Sequence, residues 1–188
     1  MSNAEPYTPS AAFGAEVRKD GDMWTLVLVR DLRHAPAKVW TALTDPEHLH
    51  EWAPFDTDRN LGSVGTAHLS TVGLPQPLVS ETKVTRADAP NLLEYNWGDF
   101  NIRWELEAVG AGTRLTLWTN IDRRYISMGA AGWHICLDVL DRLLGGQPIG
   151  RIAGPDAMRF NGWQRLNGEY ARQFGVAAPG GSSNAPKP

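Results

Sequence analysis

The sequence predicts an α+β domain, a curved antiparallel sheet wrapped around a long C-terminal helix, with two short helices after the first strand and an extra helix at the C-terminal end. Three observations predict it. Residues 65–120 follow a period of two, broken at Gly73, Pro75, Pro77, Pro90, Gly98 and Gly110-Ala111-Gly112, which is the pattern of strands joined by turns. Trp133, Cys136, Leu137, Leu140 and Leu144 then fall at i, i+3, i+4, i+7 and i+11, one face of a helix. Between the first strand and the meander, Pro36 and Pro46 each open a short run with helical spacing.

Taken in order, Met23–Leu32 (MWTLVLVRDL) reads as a strand, and Asp20-Gly21 before it as a hairpin turn with Ala15–Lys19 as partner. Ala35-Pro36 starts the first helix, with Val39, Trp40 and Leu43 on its apolar side. Asp45-Pro46-Glu47 supplies cap, proline and first-turn acid for the second, with Leu49 and Trp52 facing inward. After the meander the long helix stops at Gly145-Gly146 and Pro148. A further helix is expected from about Asp156 to Phe174, with Phe160, Trp163, Tyr170 and Phe174 on one face. Residues 1–12 are expected to be flexible, 13–175 to form the domain, and the tail 176–188 (VAAPGGSSNAPKP) to be disordered.

The last three strands allow a register to be written. A two-residue turn at Gly110-Ala111 pairs Leu106 with Leu115, Trp104 with Leu117 and Ile102 with Thr119. A four-residue turn over Gly98–Asn101 would place Trp97 opposite Ile102, Tyr95 opposite Trp104 and Leu93 opposite Leu106. The other face then carries Arg103, Glu105 and Glu107 opposite Trp118, Thr116 and Arg114, with Arg103 over Trp118 and Glu107 paired to Arg114. A one-residue slip would bury these charges, so burial favours this parity.

Composition narrows the function classes. In 188 residues, 42% apolar and 21% charged, the balance is globular, and a net charge of −3 leaves no basic footprint for nucleic acid. Cys136 is the sole cysteine, so no intramolecular disulfide is possible. No apolar run reaches membrane-spanning length and residues 1–12 lack a signal-peptide core, from which a cytoplasmic location is expected. Eight tryptophans ask for a wide core or a cavity.

The order of elements resembles the START-like, or birch-pollen-allergen-like, superfamily with its helix-grip fold. The run His34-Ala-Pro-Ala-Lys-Val-Trp-Thr-Ala-Leu-Thr-Asp-Pro-Glu-His-Leu with Glu51-Trp52 is similar to the opening of proteins related to the C-terminal domain of the activator of the heat-shock protein 90 ATPase. Gly112-Thr-Arg-Leu-Thr-Leu and Gly132-Trp-His-Ile-Cys-Leu match that family's late strand and final helix. The resemblance covers roughly residues 15–145 and implies a cavity that takes an apolar guest. Residues before 15 are too few for the separate chaperone-engaging domain of the eukaryotic activator. Thr119 stands where many relatives place a histidine, and a ligand contact made through that histidine is lost with it.

The candidate ligand-binding residues are Tyr95, Trp97, Trp104, Leu117 and Thr119 on the sheet, Trp133, His134, Cys136 and Leu137 on the long helix, and Glu81 as a polar orienting group. Aromatics of this kind usually just fill a core; their convergence on a concave sheet closed by a helix is what argues for a cavity. His134, off the apolar stripe, reads either as a donor to a bound carbonyl or, more simply, as a solvated or capping residue. Glu81 and Asp99 could serve as acid and base but have no partner in the pattern. His48 and His50 point to different sides of a helix, so no metal is expected, and the glycine pairs fit no nucleotide loop, so no cofactor is expected. The expectation is a carrier for a small hydrophobic, lipid-like or amphipathic molecule without catalysis, in a metabolic or stress-response setting. The alternatives are a cyclase- or aromatase-like enzyme acting by confinement, and a co-chaperone-like protein with a protein partner or a homodimer surface.

Overall fold

The computed structural model describes residues 6–179, and within them all but the side chain of Asn161. The chain runs β1 (Ala15–Arg18), β2 (Met23–Leu32), α1 (Pro36–Thr44), α2 (Pro46–Trp52), β3 (Phe55–Thr57), β4 (Gly65–Thr71), β5 (Leu78–Val84), β6 (Arg86–Asp88), β7 (Leu92–Trp97), β8 (Phe100–Val109) and β9 (Gly112–Asp122). A 3-10 turn at Arg123–Tyr125 leads into α3 (Ile126–Leu144), then α4 (Gly154–Arg159) and α5 (Asn161–Phe174).

One sheet has the strand order β1-β2-β9-β8-β7-β6 and the other β3-β4-β5, all neighbours antiparallel. The two meet along β5 and β7. The Asn96 side chain accepts from the Lys83 amide at 2.9 Å, and the Thr82 hydroxyl donates to the Asn96 carbonyl. An amide side chain thus stands in for a missing ladder bond, bending the surface around α3 without orphaning the backbone.

Local signals act as read. The Asp45 carboxylate accepts from the amides of Glu47 and His48, so it caps α2, and Pro36 and Pro46 sit in the first turns of α1 and α2. The β8–β9 pairing is Leu106 to Leu115, Trp104 to Leu117 and Ile102 to Thr119, as the turn length requires. The β7–β8 register differs by two residues. Tyr95 faces Ile102, Leu93 faces Trp104, and Trp97 faces Phe100, because the turn is the two-residue Gly98-Asp99. Gly98 takes φ +56°, the left-handed value that a type II′ turn needs at its first position. The shift of two keeps every side chain on its face, so the inward row is Leu93, Trp104 and Leu117.

The outer face is charged, with different partners from those expected. Arg18, not Arg103, lies over Trp118 at 4.4 Å, while Arg103 bridges Glu94 at 2.8 Å and Glu105 at 2.6 Å. Arg114 pairs with Asp31 on β2 at 2.9 Å rather than with Glu107, since β2 lies on the other side of β9. The long helix begins seven residues before Trp133, at Ile126. The expected last helix is two, because Phe160 adopts an extended ψ of 125° between α4 and α5.

Helix α3 is covered on both sides. Its inner face meets the sheet, and its outer face lies under α5 and residues 7–13. Of the segment 1–12 expected to be flexible, residues 6–12 run across these helices: Arg165 donates to the Pro9 carbonyl at 2.5 Å and the Ala12 amide to Glu169 at 2.8 Å. Of the expected disordered tail, Val176 packs on the core and the Asn167 amide donates to the Pro179 carbonyl at 3.2 Å; the remainder, 180–188, lies outside the described residues. No helix among the described residues is long and apolar enough to cross a membrane.

Candidate ligand cavity and the buried polar cluster

An apolar cavity of about 310 Å³ opens between the sheet and the first half of α3. Met128, Gly129, Gly132, Trp133 and Cys136, at i, i+1, i+4, i+5 and i+8, supply one wall from a single helix face. Trp97, Phe100, Thr119 and Ile121 supply the opposite wall from the ends of β7, β8 and β9. Ala153, Ala157 and Met158 roof it from α4 and the residue before, with Trp163 of α5 behind them.

The aromatic wall is held rigidly. Trp97 donates its indole N–H to the Thr71 hydroxyl at 2.9 Å and stands edge-to-face on Trp133, centroids 6.1 Å apart at 82°. Trp133 in turn meets Trp104 at 5.7 Å and 80°, and Trp104 meets Trp52 at 6.0 Å and 79°. Such right-angled contacts set ring edges against ring faces. They back the Trp97 and Trp133 rings with packed aromatic neighbours.

Among the expected site residues, Trp97, Thr119, Trp133 and Cys136 line this cavity. Tyr95, Trp104 and Leu117 do not reach it; they are buried in the packed layer beside it, with Trp104 fully enclosed. Leu137 turns to a groove on the other side of α3, beside Arg30 and Asp138. Glu81 is exposed on β5 opposite His68, away from the cavity. Burial pushes the Cys136 thiol up to about 12, so at neutral pH it is a neutral wall atom rather than a thiolate.

His134 is neither solvated nor in the cavity. It is fully buried on the outer side of α3, with Nδ1 2.7 Å from the Tyr170 hydroxyl and Nε2 3.2 Å from the Ser10 hydroxyl. Around it lie Asp138 at 3.5 Å and Arg30, only 7% exposed, 3.4 Å from Asp138 and 4.1 Å over the ring of Phe13. Tyr7 donates to Asp138 at 2.5 Å. Burial opposes ionisation of Asp138, but hydrogen bonds from His134 and Tyr7 and the field of Arg30 outweigh it and hold its carboxyl below the usual range. The cluster fastens the N-terminal segment and α5 to α3, a structural task that explains why polar residues sit on a buried helix face.

Elsewhere, His48 and His50 contact different carboxylates, Asp45 at 3.4 Å and Asp56 at 2.9 Å. Phe100, Ile121, Met128, Gly129, Gly132 and the α4 residues were missed in the sequence. Carrying the stripe back one turn from Trp133 and Cys136 reaches Gly129 and Gly132, and two mid-helix glycines were the signal available there. Nothing local marks the α4 residues, whose part in the cavity is purely tertiary.

A concave antiparallel sheet gripping a long helix around an apolar cavity defines the helix-grip class of the START-like superfamily. Residues 33–145 match the family described as activator of Hsp90 ATPase homolog 1-like protein, and the chain belongs to it. Solved structures agree on the fold. A conserved protein of unknown function from Enterococcus faecalis aligns at 18% identity and TM-score 0.63, covering 87% of this chain and 92% of its own. A protein from Bordetella parapertussis gives 21% identity and 0.61, covering 94% and 97%. The AHSA1-like protein from Aeromonas hydrophila gives 18% and 0.52, covering 65% and 92%. No curated protein matches the chain.

Proposed function

We propose that this protein binds a small hydrophobic or amphipathic molecule in the cavity between its sheet and α3, as a carrier or sensor rather than a catalyst. The observation that carries the reading is the lining: about 310 Å³ walled by aromatic, methionine, glycine and aliphatic groups, with a thiol kept neutral by burial. Ligand sites are concave and mainly apolar, and this volume lies at the small end of the usual range of roughly 300–1,000 Å³. Each ligand methylene taken from water contributes about 0.8 kcal/mol, so a medium-sized apolar guest reaches micromolar affinity after the cost of association.

The test uses the tryptophans already in the wall. Intrinsic fluorescence is titrated with fatty acids, sterols and polycyclic aromatics, and native mass spectrometry is run on protein purified from its own host. A saturable change in emission or a stoichiometric co-purifying molecule supports the reading. Silence across the whole panel, with no bound molecule, removes it.

A further inference from the structure

Gly129 and Gly132 both interrupt α3, where glycine is the least favourable residue after proline. Their reasons differ. A Cβ at Gly129 would press on the terminal methyl of Ile121, which would have to turn aside, so packing favours glycine there. A Cβ at Gly132 would meet nothing within 4 Å, and the residue has no left-handed φ. Neither packing nor backbone conformation requires glycine at 132. What lies in front of it is the cavity.

We propose, building on the ligand-binding reading above, that Gly132 is the size-determining residue of the cavity, and that the ligand is an uncharged, largely flat ring system lying against its bare helix backbone. Shape argues for a flat guest. Trp97 and Trp133 form a right-angled corner, so a ring stacked on one turns its edge to the other. Met128 and Met158 offer polarisable sulfur at the sides of the same space. At about 30 Å³ per water-sized volume, 310 Å³ holds on the order of ten to fifteen non-hydrogen atoms, two or three fused rings.

Charge argues for a neutral one. Among the described residues, no Asp, Glu, Lys or Arg lines the cavity. The arginines near its edge are committed: Arg151 to Asp56 at 2.7 Å, Arg123 to Asp22 at 3.3 Å and Arg124 to Asp122 at 2.8 Å. A carboxylate or sulfonate carried into the cavity would lose its hydration and find no cation waiting.

The test pairs two probes on one flat ring skeleton, neutral 1-naphthylamine and its anionic 5-sulfonate, with dodecanoate as an acyl control, against the full chain and its variants. The wild type binds the neutral amine at least tenfold more tightly than the sulfonate or dodecanoate. Gly132→Leu loses at least tenfold in affinity for the amine and Gly132→Ala about threefold, both with a melting temperature equal to or above the wild type. Gly168→Ala, which removes a helix glycine on α5 outside the cavity, leaves affinity unchanged. If Gly132→Leu fails to fold, the alanine variant decides. Wild-type affinity in a folded Gly132 variant, or equal affinity for amine and sulfonate, overturns the inference while the cavity reading stands. A wild type that binds none of the three probes removes the inference, and the cavity reading falls with it only if the wider panel is silent and no molecule co-purifies.

Discussion

The Trp104 indole donates its N–H to the Tyr95 hydroxyl at 3.1 Å inside a core where Trp104 is fully enclosed and Tyr95 is 4% exposed. The two residues are not cross-strand partners: Leu93 faces Trp104 and Tyr95 faces Ile102. They meet diagonally on one face, within reach of long aromatic side chains. The tyrosine oxygen satisfies the indole N–H inside the core, which lets the large amphipathic ring of Trp104 serve as core.

Trp104→Ala therefore destabilises the fold by about 3–5 kcal/mol, the range for truncating a packed large aromatic. Tyr95→Phe costs about 1–3 kcal/mol by leaving the indole N–H unpaired. Urea titrations of both variants and the double mutant measure this. A coupling energy near zero would mean that the bond contributes nothing beyond packing.

The element order, both short helices, the outer charged face and the β8–β9 register were legible in the sequence because each rests on local chemistry: caps, turn length and alternation. The β7–β8 register was not. Gly98 permits a tight two-residue turn as well as a wider one, and the two differ by two residues, a slip that alternation cannot detect. Of the cavity lining, Trp97, Thr119, Trp133 and Cys136 were reached by projecting two faces toward each other. Tyr95 and Trp104 were placed with them because a core ring and a wall ring look alike in sequence. His134 looked solvent-facing because the segments that cover it, residues 7–13 and α5, lie far away along the chain.

Asp138 gives an acid-sensitive fastening. Its folded pKa is depressed, so its contribution to stability is fully present above the unfolded carboxylate value of about 3.9 and is lost as pH falls through the folded value. Asp138→Asn costs a few kcal/mol at pH 7, toward the low end of the roughly 3–5 kcal/mol for stripping a buried cation of its partner, because the Asp138 side chain is 18% exposed. Below about pH 4 the gap between wild type and variant narrows. Denaturant midpoints of both proteins at pH 7, 4 and 3 check this, and a constant gap would show that the carboxylate charge is not what holds the segment.

Lys38 at the start of α1 donates to the Leu144 carbonyl at 2.7 Å and so caps the C-terminus of α3 from a distant helix. Lys38→Met removes one hydrogen bond and a cation placed well for the helix dipole, and lowers stability by about 0.3–1 kcal/mol. Raising the salt concentration shrinks the difference in midpoint between the two proteins. A salt-independent difference would assign the effect to the lysine's aliphatic stem instead.

Cys136, the sole cysteine, reports on the cavity through its own reactivity. With its thiol pushed up to about 12 by burial, almost none of it is thiolate at pH 8, and the sulfur sits in a cavity roofed by α4 and Trp163. Reaction with 5,5′-dithiobis(2-nitrobenzoate) is therefore at least a hundredfold slower in the native protein than in denaturant, and rises with pH above 8. A neutral aromatic probe in the cavity covers the same sulfur and slows the reaction further, in proportion to its occupancy. Fluorescence and thiol kinetics then yield one dissociation constant by independent routes. Native labelling as fast as that of the unfolded chain would show that the cavity is open to bulk solvent. A probe that binds but leaves the thiol rate unchanged would place its site elsewhere on the molecule.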